Sequence, residues 1–156
     1  MCIRDSSLTE RFNGTWGDIA ESQFEADYPN ALRYGLNKPP LGWGVERLPL
    51  MMRYTPDYIL PNALAEVQGF GKNGLKIKFE KLRALDLWNQ QLPVYFWLWS
   101  SARSDSLWVP LEGIWEIIDG NKVTLDSYND TKRGKAYIKI RPGDLPWGSH
   151  GIPTIR

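Results

Sequence analysis

Cysteine and histidine are almost missing from this sequence: Cys2 and His150 are each alone of their kind. One cysteine excludes an intrachain disulfide and any cysteine-based zinc site, and one histidine cannot build a histidine cluster. A bound metal would therefore be a hard cation held by oxygen. Long apolar runs are missing as well. The longest, "VYFWLW" at 94–99, is far too short to span a bilayer, and no signal peptide is visible, so a cytoplasmic location and no membrane partner are expected. Net charge is nearly absent at +1, which argues against a protein that coats nucleic acid by bulk charge. Internal repeats and low-complexity segments are also lacking.

What is present is enough for one folded domain. A chain of 156 residues buries roughly two thirds of its unfolded surface, and 42% hydrophobic content with eight tryptophans supplies a large core. The charge that nearly cancels in sum is unevenly placed. Residues 18–27 carry Asp18, Glu21, Glu25 and Asp27 with no base, whereas 132–141 carry Lys132, Arg133, Lys135, Lys139 and Arg141 with no acid. A basic run of this kind is ordinarily a solvated hairpin; contact with phosphate is the alternative.

Periodicity predicts alternating helices and strands. Trp16, Ala20, Phe24 and Tyr28 recur every four residues, which predicts a helix over 14–28 with Glu21 and Glu25 on one flank. Gly and Pro make 34–44 a loop. Residues 45–54 are expected as a strand with a proline interruption, followed by "TPDYIL" (55–60) and "ALAEVQG" (63–69) as two more. Leu75, Phe79, Leu82 and Leu85 predict a helix over 73–90, with Lys76, Glu80 and Arg83 spaced for pairing on its other side. "PVYFWLWSS" (93–101) is apolar on both faces, as an interior strand is. A strand at "LWVPL", a helix over 111–120 ending at Gly120 and two strands within 122–140 complete the chain. Trp88, Trp97, Trp99, Trp108 and Trp115 are assigned to the core or in part to a dimer surface, and Tyr54 and Tyr58 to packing.

A hairpin centred on Pro61 and Asn62 pairs residues whose numbers sum to 123, so Asp57 faces Glu66. Directly opposed Cβ atoms lie about 4.5–5.5 Å apart, and like charges there destabilise a sheet unless neutralised. A cation is the economical answer. Alternation sets Gln68 on the face of Glu66 and Val67 on the other. The plainer alternative makes Asp57 a cap at the strand entry and Glu66 an ordinary solvent-facing residue.

"PD" at 56–57, eight intervening residues and "EVQ" at 66–68 resemble the PD-(D/E)XK nuclease superfamily. The helix with Gly17 and Glu21, the helix after the motif and the strand "PVYFWLW" are similar to its αβββαβ core, so the resemblance covers about residues 14–100. Among its members the chain looks most like small phage-encoded or Holliday junction resolvase-like nucleases. The resemblance implies a restriction-endonuclease-like α/β fold, a mixed sheet flanked by helices, with a C-terminal helix and β-hairpin as an extension. It also implies an Mg²⁺-dependent DNA endonuclease, with Mn²⁺ able to substitute, selective for branched DNA in its resolvase-like form, and a homodimer as one assembly. Asp57, Glu66 and the Val67 carbonyl would be metal ligands, with Glu21 contributing directly, through water or to a second metal, and Glu25 as a less favoured substitute. Gln68 stands where most active members have lysine; its carbonyl can orient a water but brings no charge. Lys72 or Lys76 would then supply the charge, or be a solvated loop or helix terminus. Lys72, Lys76, Lys132, Arg133, Lys135 and Lys139 are the expected DNA contacts, with Tyr137 and Trp147 able to stack on bases or to cover the core. The competing expectations are a non-catalytic DNA- or protein-binding module with a degenerate fold, and a phosphodiesterase acting on RNA.

The opening "MCIRDSS" resembles translated sequencing-adapter sequence of metagenomic assemblies. Residues 1–6 are therefore expected to be non-native, and 7–156 one nuclease-like domain with a core of about 14–110 and an extension of about 111–156. A phage source would make the location the host cytoplasm.

Overall fold

The middle of the first helix's apolar stripe, Ala20 and Phe24, is buried as its spacing demands. In the computed structural model, which describes residues 16–35, 48–127, 136–148 and 153, helix α1 spans Trp16–Asp27 and buries Ala20 and Phe24 completely. Phe24 meets Tyr58, Trp97 and Trp108 at ring-centroid distances of 4.6, 5.4 and 5.9 Å, the last two edge-on. Such contacts fix the helix across the sheet.

Among the described residues eight strands form two sheets. Strands β1 (Leu32–Arg33), β2 (Tyr58–Leu60) and β3 (Ala63–Phe70) run antiparallel, β5 (Val94–Ser100) lies parallel to β3, and β6 (Asp105–Pro110) returns antiparallel to β5. The order of this mixed sheet is β1-β2-β3-β5-β6. Its interior strands β3 and β5 are apolar on both faces, and each face has its own core. Ala63, Ala65, Val67 and Trp97 pack on the α1 side, while Leu64, Phe96 and Leu98 pack on the other side. Trp97 and Trp108 are buried, and Trp88, Trp99 and Trp115 pack partly buried against the two cores, as the core assignment requires.

The second sheet, β4-β8-β7, joins β4 (Leu75–Lys78) to the hairpin of β7 (Val123–Ser127) and β8 (Ala136–Ile140). Helices α3 (Phe79–Asn89) and α4 (Leu111–Asp119) fill the space between the sheets, with Leu82, Leu85, Ile114, Ile138 and Ile140 in one cluster. The expected C-terminal extension is thus not appended to the core. Its strand β8 is the centre of a sheet whose other edge belongs to the central part of the chain.

Two expectations are corrected. Of the strand expected over 45–54, residues 45–47 lie outside the described residues and 48–54 do not form it: Leu50–Arg53 is a short helix, α2, entered through Pro49, because proline sets the entry dihedral and Leu, Met and Arg favour helix. The helix expected over 73–90 begins only at Phe79. Leu75 and Ile77 are buried while Lys76 is exposed, which is the two-residue alternation of a strand, and Gly74 makes the turn before it. Lys76 therefore sits on a strand, without the helical spacing to Glu80 and Arg83. No helix among the described residues is long and apolar enough to cross a membrane.

Candidate active site

The turn at Pro61–Asn62 sets the geometry of the site. Pairing runs Leu60 to Ala63, Ile59 to Leu64 and Tyr58 to Ala65, the register in which residue numbers sum to 123. Asp57 lies one residue before this ladder, where its carbonyl accepts the N–H groups of Tyr34 and Gly35 at 2.8 and 3.1 Å. Its carboxylate turns to the opposite strand and accepts the Val67 N–H at 2.8 Å through Oδ2. Glu66 projects from β3 on the face away from α1, so both carboxylates are buried on one side of the sheet, 8% and 4% exposed.

A lysine that the sequence reading did not single out meets them. Lys81, in the first turns of α3, ion-pairs with Glu66 Oε1. Its helical position explains the reach: Lys81 stands four residues before Leu85 and seven before Trp88, on the stripe that faces the sheet. That spacing is visible in the sequence once the helix is started at Phe79. Burial disfavours the Lys81 charge, but the carboxylates of Glu66 and Asp57 outweigh it and raise its pKa above the ordinary value. The Asp57 carboxyl is pushed up to about 7, first by burial and then by the charge of Glu66, against the lowering effects of Lys81 and the Val67 N–H.

Gln68 closes the site on the next outward position of β3. Its Nε2 donates to the Lys76 carbonyl at 2.5 Å, tying the two strands together where the sheets diverge. Its Oε1 is buried and, among the described residues, has no hydrogen-bond partner. Asp57, Glu66, Gln68 and Lys81 line a cavity of about 330 Å³ whose remaining wall is Arg53, Tyr54, Thr55, Lys76 and Lys78. Four cations face two carboxylates there, so the cavity suits an anion beside the acid pair.

Other expected residues lie apart. Glu21 is outside the cavity wall, its carboxylate forked by Arg33 at 3.1 and 3.3 Å. Burial raises its pKa, the charge of Asp57 adds to that, and Arg33 opposes it. Glu25 accepts the Tyr58 hydroxyl at 2.6 Å. Lys72 is exposed in the turn between β3 and β4 and does not line the cavity. Lys139 is paired in register with Lys76 across β4 and β8. Lys132, Arg133 and Lys135 lie outside the described residues. Tyr137 is buried with its hydroxyl on Asp126 at 3.1 Å, and Trp147 lies under the Arg103 guanidinium at 3.9 Å, so both serve as packing and cover.

Among the described residues no three His, Cys, Asp or Glu side chains gather as a metal site; the donor set is two carboxylates. That set fits Mg²⁺, which is held by one or two carboxylates and keeps several waters. Comparisons of the chain with protein-family models, with curated proteins and with solved structures find no match.

Proposed function

We propose that this chain is a metal-dependent DNA endonuclease of restriction-endonuclease-like fold, related to the PD-(D/E)XK superfamily. The observation that carries the proposal is the buried Asp57–Glu66 pair, opposed across a hairpin and met by Lys81 at the edge of a cationic cavity. Two adjacent buried carboxylates are costly to a fold unless a cation is meant to join them. The order α1, β1, α2, β2, β3, β4, α3, β5 supports the same reading, with the short α2 inserted between β1 and β2 and β4 diverted into the second sheet.

Asp57 and Glu66 would hold the metal, with the Val67 carbonyl as the further oxygen. A bound Mg²⁺ supplies Lewis-acid polarisation of a phosphoryl oxygen and an acidified water. The protein groups divide the remaining work. Lys81 delivers the positive charge that the motif ordinarily carries two residues after the glutamate, and holds it where negative charge develops in phosphoryl transfer. Gln68, whose Oε1 is buried and lacks a partner among the described residues, would accept a hydrogen bond from a water and orient it once its side chain turns toward the cavity that it lines. Arg53, Lys76 and Lys78 attract the phosphate.

The second reading, a binding module without catalysis, has its own observation: Glu66 already has a cationic partner in Lys81. Nicking of supercoiled, linear and branched DNA in Mg²⁺ or Mn²⁺, lost in Asp57→Ala and Glu66→Ala, is the expected result. DNA left intact in both metals would favour the binding module, and cleavage confined to matched RNA hairpins would move the substrate to RNA.

A further inference from the structure

Lys76 and Lys139 are directly opposed across β4 and β8. Like charges so placed destabilise a sheet unless an anion lies over them. Alternation puts Lys78 on the same outward face as Lys76, two residues or about 6.6 Å along the strand, while Leu75 and Ile77 fill the core on the inner face. The Lys76 ammonium stands over the Tyr137 ring, 5.4 Å from its centroid, which holds the side chain over the sheet face.

Arg53 extends this row into the cavity. Its Nη2 donates to the Leu48 carbonyl at 3.3 Å and its Nη1 lies 3.7 Å from Glu80. Its Nε is buried and, among the described residues, has no acceptor. A buried donor of this kind needs an acceptor to offset its desolvation. Arg53 itself is part of the cavity wall beside the carboxylates, and the cations continue outward over β4 to β8.

We propose that Arg53, Lys76, Lys78 and Lys139 form a track for the backbone of a polynucleotide strand, which leaves the cavity across the outer face of the second sheet. A lone phosphate in the cavity would meet Arg53, Lys76 and Lys78, which line it, but would leave out Lys139, which stands beyond Lys76 on β8. The four run along α2, β4 and β8, and the interval between Lys76 and Lys78 is close to that between successive phosphates of one strand. Asp126, opposite Tyr137 on the same face, marks where the track ends. Contacts of this type position a strand without reading its sequence. The proposal rests on the nuclease reading for the identity of the ligand, but its residues are distinct from the acid pair.

The test is binding of fluorescein-labelled duplex and single-stranded DNA, with matched RNA, to the full chain in EDTA over a salt series. Lys76→Gln/Lys139→Gln should weaken binding at least tenfold and reduce the slope of log K against log salt by about 1 per lost phosphate contact. Arg53→Gln should weaken it further. Lys76→Arg/Lys139→Arg should bind like the parent, showing that charge and not folding was removed. Arg83→Gln, exposed on the far side of α3, should leave affinity and slope unchanged. Parent-like binding by the double glutamine variant, or no binding by the parent to any of these strands, overturns the track. RNA bound in place of DNA through the same lysines retains it. If the lysine variants lose binding while the parent cleaves nothing in Mg²⁺ or Mn²⁺, the track stands and the nuclease reading fails. If the parent cleaves and those variants bind normally, only the track fails.

Discussion

Burial lifts the Asp57 carboxyl from 3.8 to about 7, and the charge of Glu66 adds to the lift. In the unfolded chain the group titrates near 3.8, so the folded protein keeps this proton to higher pH. The associated stability is therefore full below pH 3.8 and is lost as pH rises through about 7,. Asp57→Asn, which can still accept the Val67 N–H, should stabilise the metal-free protein at pH 8 by about 2–4 kcal/mol, with the gain vanishing toward pH 4. Urea denaturation in EDTA at pH 4, 6 and 8 measures this, and adding Mg²⁺ should stabilise the parent but not the variant. Removal of Lys81 should act in the opposite direction. Lys81→Met leaves Glu66 buried without its partner and should cost about 1–3 kcal/mol, reduced from a fully buried pair because the lysine side chain is 24% exposed,. Adding Glu66→Gln should restore most of that loss. The acids were legible in the sequence because hairpin arithmetic needs only a turn and a period of two. Lys81 was not, since its stripe could be drawn only with the right helix start.

That start was hidden by a coincidence of periods. Leu75, Phe79, Leu82 and Leu85 fit a helical stripe across a boundary where the chain changes from strand to helix, and four residues of "LKIK" are too few for alternation to prevail. What decides is the pairing of β4 with β8, about sixty residues away in sequence. Gly74 shows how tightly that pairing is fitted: at φ +98°, a Cβ there would lie 2.4 Å from the Ile140 carbonyl oxygen. Gly74→Ala should therefore cost more than about 2 kcal/mol, read from the midpoint of chemical denaturation. Strand β1 escaped detection for a different reason. It is two exposed residues, Leu32 and Arg33, and its place in the sheet comes from its pairing with β2. The α1, β2, β3, β5, β6 and α4 elements were legible because each carries its own apolar pattern or turn.

At the scale of the molecule, the C-terminal hairpin belongs to the core and to the site together. Ile138 and Ile140 are fully buried against β4 and the helices, and Lys139 stands opposite a cavity lysine. A chain ending at residue 121 should fail to unfold cooperatively in denaturant, whereas a core with a dispensable extension would keep a sharp transition. The whole arrangement converges on one claim: a buried acid pair receives from α3 the charge that Gln68 does not provide. Single-turnover cleavage of DNA in Mg²⁺ by the parent, Lys81→Gln and Lys81→Gln/Gln68→Lys tests it most directly. Cleavage by the parent is expected, with a loss of about 10²–10³-fold without Lys81 and recovery of at least tenfold when lysine is returned at position 68. No cleavage by the parent, or equal rates with and without Lys81, would contradict it.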